Sequence, residues 1–154
     1  MIHISIIKMQ KEIESAYKLY SVGQVKKALQ LLKSLLIQYP NEAILYNLKG
    51  ACYSSLRMSD KAVESYNKAL ALKPDYAEVH NNLGVCLQGL GNSSEAVKSY
   101  KNAIAINPEY FEAHNNLGNT FKGLNQIDSA IKSYQKSIAI NSYFSHPHYN
   151  LGLI

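Results

Sequence analysis

Arginine is almost missing from this chain: of its 16 basic residues only Arg57 is one. A formal charge of +5 raises the question of an anionic partner such as nucleic acid. The bidentate phosphate and guanine contacts that arginine makes best are nearly unavailable, however. Only two cysteines occur, Cys52 and Cys86, too few for a structural zinc site and a poor disulfide set. Glycine and proline are scarce, at 8 and 4 residues, and no tract of one residue type is present, which removes the collagen-like and low-complexity classes. Long hydrophobic runs are lacking too. Ile2 to Ile7 is interrupted by His3 and Ser5 and followed by Lys8, too short for a membrane span and without the small-residue cleavage site of a secretory signal. The expectation is a cytoplasmic protein with no membrane partner. What remains is a globular composition, 154 residues of which 47% are hydrophobic and 18% charged, enough for a real core.

The two cysteines stand 34 positions apart, and that step recurs throughout the chain. Residues 77–110 align without gaps on 111–144 with 16 of 34 positions identical, and 43–76 shares the frame. Pro40, Pro74 and Pro108 keep the step, with Ser142 where the next proline would fall, as do Gly50, Gly84, Gly118 and Gly152, and Ala28, Ala62, Ala96 and Ala130. Within one period the apolar residues recur at helical spacing in two blocks. Val79, Leu83 and Leu87 stripe the first, and Ala96, Val97, Tyr100, Ala103 and Ile104 the second, with a turn near Gly91-Asn92-Ser93 between them. Each unit therefore predicts a helical hairpin, ended by its proline and with an Asp, Asn or Glu beside it helping to start the next helix. Gly84 and Ala96 are where the two helices can approach closely. One hairpin cannot bury its own apolar face, so stacked neighbours supply the core.

The order Leu83, Gly84, Leu87, Ala96, Tyr100, Ala103, Pro108, repeated as Leu117, Gly118, Phe121, Ala130, Tyr134, Ser137, Ser142, resembles the tetratricopeptide repeat. The second copy reads Lys49, Gly50, Tyr53, Ala62, Tyr66, Ala69, Pro74, and the first, most degraded, Ser15, Ala16, Leu19, Ala28, Leu32, Leu35, Pro40. The resemblance implies an all-α, right-handed superhelical solenoid of antiparallel helix pairs with about nine helices. It divides the chain into an extension or packing strand at 1–8, four units at 9–42, 43–76, 77–110 and 111–144, and the first helix of a fifth at 145–154. The tryptophan often found at the fourth position of the repeat is replaced by Glu12, Tyr46, His80, His114 and His148, and Ser137 and Ser142 are expected to leave the fourth hairpin less tightly closed.

In arrays of this family the first helix of each hairpin lines a groove that takes extended peptides or helices. Carried over, the groove positions are Glu78, Asn81, Asn82, Val85 and Gln88 in the third unit and Glu112, Asn115, Asn116, Asn119 and Lys122 in the fourth. The fifth adds His146, Tyr149, Asn150 and Leu153, and Asn47 is the fifth-position residue of the second. A carboxamide offers a donor and an acceptor, so the rows Asn82, Asn116, Asn150 and Asn47, Asn81, Asn115 can pair with the backbone of an extended chain whatever its side chains. This resembles the asparagine ladder of O-linked N-acetylglucosamine transferases; the alternative is that these asparagines are consensus usage that caps or solvates helices. The two-carboxylate clamp of the chaperone-tail class has no counterpart at Ile13, Tyr17 and Leu48, which disfavours an acidic chaperone tail.

Lys61, Lys68, Lys98, Lys101, Lys132 and Lys136 fall on second helices, the outer side implied by the resemblance, and read as solubilising charge with no nucleic-acid site. His80, His114 and His148 recur about one helix-packing distance apart, roughly 10 Å, too far for one metal ion, and read as packing residues. Cys52 and Cys86 read as small buried hydrophobes. No catalytic constellation and no cofactor motif is present; Asp60, Asp75 and Asp128 merely lie near turns. The chain stops at Leu151-Gly152-Leu153-Ile154 inside a fifth unit, so it reads as a piece of a longer protein or as one that self-associates through its uncapped end. Two functions follow: a non-enzymatic scaffold binding an extended peptide, or the substrate-recruiting arm of a larger enzyme such as an O-linked N-acetylglucosamine transferase-like glycosyltransferase.

Overall fold

The computed structural model describes residues 2–154, with side chains from Ile7 onward. Among the described residues there are nine α-helices and no strand, the expected all-α class. They fall into two compact units, 1–74 and 75–154. The first holds α1 (Ile2–Ser21), α2 (Val25–Gln38), α3 (Ala43–Ser55) and α4 (Ser59–Leu72). The second holds α5 (Ala77–Gly89), α6 (Ser93–Ile106), α7 (Phe111–Gly123), α8 (Ile127–Ile140) and α9 (Ser145–Gly152). Residues 2–8 belong to α1, so they are helical and not the packing strand that was one of the two expectations.

The hairpins repeat one turn. Gly23, Arg57, Gly91 and Asn125 stand 34 apart and all have positive φ, 78°, 57°, 81° and 58°. In each turn the following N–H reaches back six-to-one across the helix end, as Asn92 N to Leu87 O at 2.9 Å and Gln126 N to Phe121 O at 2.8 Å, the Schellman closure. Between hairpins the chain leaves each second helix just ahead of Pro40, Pro74, Pro108 or Ser142. The expected capping by Asp, Asn or Glu does not occur. The residues ahead of α3, α5, α7 and α9 are Glu42, Tyr76, Tyr110 and Phe144, none with a side-chain cap. Asn107 and Asn141 instead accept from the N–H two residues on, Glu109 at 3.2 Å and Tyr143 at 3.1 Å, which turns the loop and not the helix end.

In the first unit Ile13, Ala16, Ala28, Leu32, Leu35, Leu45, Leu48 and Cys52 form one core. In the second, Ala96, Tyr100 and Leu117 pack with Leu87, Val97, Ile104 and Phe121, which seats α6 against α5 and α7. The close approach expected at Gly84 is made by an aromatic ring: a Cβ there would stand 2.6 Å from Tyr100 Cε1, and Gly50 and Gly118 face Tyr66 and Tyr134 in the same way. Ser137 does not loosen the fourth hairpin. It is fully buried and its hydroxyl donates to Phe111 O at 2.7 Å, joining α8 to α7.

Candidate functional site

The amide-rich positions of the second unit lie on the first helices α5, α7 and α9, and successive helices are tied through them. Asn116 Nδ2 on α7 donates to Asn81 Oδ1 on α5 at 3.1 Å. Asn150 Nδ2 on α9 donates to Asn115 Oδ1 at 3.3 Å and to Asn119 Oδ1 at 2.8 Å, both on α7. The sixth-position asparagine of one unit thus reaches the fifth-position asparagine of the preceding one.

That pairing corrects half of the expected set. Asn47, Asn81 and Asn115 are buried, at 2%, 7% and 5% exposure, so they do not face an extended chain. For Asn81 and Asn115 the physical reason is that the amide sits under the next first helix, where its oxygen accepts from Asn116 or Asn150. Asn81 also engages Tyr110, whose hydroxyl is pushed up to about 12 by burial and by the carboxylates of Glu112 and Glu78, with the Asn81 hydrogen bond working the other way.

The sixth, ninth and twelfth positions are different. Asn82, Gln88, Asn116, Asn119, Lys122 and Asn150 are half-buried and Tyr149 is exposed. Two of them are held from behind by the repeat tyrosine. Tyr100 crosses Gly84 and its hydroxyl donates to Gln88 Oε1 at 3.1 Å; Tyr134 crosses Gly118 and donates to Asn119 Oδ1 at 2.8 Å. Sequence spacing could not reveal this, because the tyrosine belongs to the second helix and its ring is counted as core. Lys122 Nζ donates to Leu153 O at 3.4 Å.

Two of the recurring histidines hydrogen-bond to loop carbonyls. His114 is buried, with Nε2 hydrogen-bonded to Pro108 O at 3.0 Å, and His148 Nε2 lies 3.1 Å from Ser142 O. Burial lowers the His114 pKa, the Pro108 bond opposing and Lys136 adding. His148 is exposed, so packing describes His114 better. Among the described residues no group of three or more His, Cys, Asp or Glu could hold a metal ion, and no helix is long and apolar enough to cross a membrane.

Family models for the tetratricopeptide repeat match residues 59–91, 90–125 and 111–144, together more than half of the 154 residues. The chain belongs to the tetratricopeptide-repeat family. No curated protein matches it in sequence. Among solved structures it is similar to MamA 41-end from Desulfovibrio magneticus RS-1, at 21% identity and a TM-score of 0.85 over 95% of this chain and 82% of that one. A MamA crystal structure gives 21% and 0.81 over 87% and 78%. The first repeat domain of Spaghetti (RPAP3), bound to the HSP90 peptide SRMEEVD, gives 20% and 0.71 over 73% and 89%. At these identities the likeness is one of fold, stacked helix pairs of the tetratricopeptide kind.

Proposed function

We propose that the chain is a non-catalytic protein-interaction scaffold that holds an extended peptide against the α5, α7 and α9 face. The binding groups are Asn82, Gln88, Asn116, Asn119, Lys122, Tyr149 and Asn150. The observation that carries this reading is how the amides are spent. Asn116 and Asn150 use their NH2 groups on neighbouring asparagines and keep a carbonyl oxygen, whereas Asn119 and Gln88 use their oxygens and keep an NH2. A face holding both acceptors and donors in fixed orientation suits the alternating C=O and N–H of an extended backbone, and orienting them in advance lowers the entropy cost of binding. The peptide seated on the RPAP3 repeats supports a peptide as the class of partner for this fold. An acidic chaperone tail is not the ligand favoured here, because Ile13, Tyr17 and Leu48 provide no clamp. The enzyme-arm alternative rests on the asparagine rows alone, and the burial of Asn47, Asn81 and Asn115 weakens it.

Replacement of Asn82 by Ala tests the proposal, since that side chain ties no neighbouring helix. Capture of peptides from an array of short unstructured sequences is expected to fall about tenfold, the worth of one or two hydrogen bonds, with melting unchanged. Equal capture by the variant sinks the reading.

A further inference from the structure

The repeat supplies an internal control for its own surface charge. Four lysines of the first unit, Lys26 and Lys33 on α2, Lys49 on α3 and Lys61 on α4, converge around Tyr53. The ammonium groups of Lys49 and Lys61 each lie 5.8 Å from the Tyr53 ring centroid. A cavity of about 420 Å³ opens among Lys26, Leu29, Gln30, Lys33, Tyr53 and Lys61, with no carboxylate in its lining. Glu64, on the same helix as Lys61, is held by Lys68 at 2.9 Å.

None of these lysines is required by the repeat. One period later the same positions carry Asp60, Asn67, Leu83 and Glu95, two of them of opposite charge. Lys49 is the most telling. It precedes Gly50 where the later units place Leu83 and Leu117, both buried, so a half-buried lysine stands at a leucine position. Burial lowers its pKa first, then the charge of Lys68, with Glu64 opposing and Lys33 adding to the fall. The Tyr53 ring face attracts two of these ammonium groups, but the like charges still repel one another, and a ligand of opposite charge relieves them.

We propose that this cavity binds a phosphate monoester. A tetrahedral dianion presents oxygens in several directions and suits separate ammonium groups from α2 and α4, with Lys49 of α3 against the same tyrosine, whereas planar carboxylates are served best by the arginine fork the cavity lacks. Nucleic acid would need charges in a stripe that follows successive phosphates, and here three of the lysines border a single cavity. Tyr53 and Gln30 add a hydroxyl and an amide to the lining.

The intact chain is titrated by calorimetry with inorganic phosphate, with a short phosphoserine peptide and with the unphosphorylated twin of that peptide. Inorganic phosphate is expected to bind, and the phosphopeptide to bind more tightly than its twin, which keeps only the backbone contacts of the α5, α7 and α9 face. A phosphopeptide whose advantage over its twin exceeds the affinity of inorganic phosphate assigns the group to a partner protein; an advantage no larger than that affinity assigns it to a free phosphate compound. Lys49→Leu and Lys61→Glu, which install residues the repeat itself uses at those positions, should each lower affinity about tenfold with helicity and melting retained, while Lys98→Glu on α6 leaves it unchanged. The proposal is overturned if inorganic phosphate does not bind and the phosphopeptide binds no better than its twin, if both lysine variants bind like the parent, or if random-sequence RNA displaces the phosphopeptide with a steep salt dependence.

Discussion

Tyr134 occupies the space that a side chain on Gly118 would need: a Cβ at residue 118 would stand 2.6 Å from the tyrosine Cε1 and 2.7 Å from Cδ1. The ring is fully buried between α7 and α8 and its hydroxyl is committed to Asn119, so it has little freedom to move aside. Gly118→Ala would gain about 1 kcal/mol of helix propensity against an overpacking cost of about 1–3 kcal/mol. Net destabilisation is expected in urea melts. Gly89, at the end of α5, has nothing within 4 Å, and Gly89→Ala is expected to stabilise. The first hairpin has already made the compensating exchange, with Ala16 and Leu32, both fully buried, at the glycine and tyrosine positions. Gly118→Ala combined with Tyr134→Leu should therefore cost less than the two changes added, a coupling that a double-mutant cycle measures directly.

The four hairpin turns offer a second comparison. Arg57 and Asn125 hold left-handed φ of 57° and 58° where Gly23 and Gly91 do so freely. A side chain in that region costs roughly 1–2 kcal/mol, less for asparagine. Glycine's larger entropy in the unfolded chain offsets part of that cost. Arg57→Gly is expected to raise stability by about 0.5–1 kcal/mol and Asn125→Gly by less, while Gly91→Ala lowers it by about 1 kcal/mol. Thermal melts that rank the three otherwise would show that the turns are not equivalent.

The asparagine rows separate by stability as well as by binding. Asn116→Ala removes the donor to Asn81, which is buried, and is expected to cost about 1–2 kcal/mol. Asn82→Ala removes no such tie and should change stability by under about 0.5 kcal/mol. Equal losses for the two variants in denaturant titration would mean that Asn82 also carries a structural bond.

Fold and register were legible because the repeat is its own alignment: prolines, glycines and alanines at a fixed step determine where each helix starts and stops, whatever lies between. Spacing alone could not divide the site. Asn81 and Asn82 are adjacent, recur together and have the same chemistry, yet one is buried beneath the next helix and the other is half-buried. That distinction depends on the stacking of hairpins, a long-range property. The lysine cavity was hidden for the complementary reason. Reading the basic residues as one outer face averaged over units, whereas Lys26, Lys33, Lys49 and Lys61 matter by departing from the repeat.

Cys52 connects this packing to pH. It is fully buried in the first unit's core, and burial pushes its thiol from 9.0 up to about 11. Burial also raises Tyr100 and Tyr134, and Tyr110 stands at about 12. Each of these acids keeps its proton in the folded chain at a pH where the unfolded chain has lost it. The native state therefore binds more protons, and stability must fall as pH rises. The contribution is intact below the unfolded values, near 9 for the thiol and 10 for the tyrosines, and is lost as pH climbs through about 11 to 12. The denaturation midpoint should hold between pH 7 and 8 and drop steadily above pH 9, and Cys52→Ala should soften the early part of that fall. At pH 8 the thiolate fraction of Cys52 is very small, so iodoacetamide should label it at the rate of unfolding and not of the free thiol. Rapid labelling of the native chain at that pH would mean that the core around Leu48 and Cys52 opens on its own.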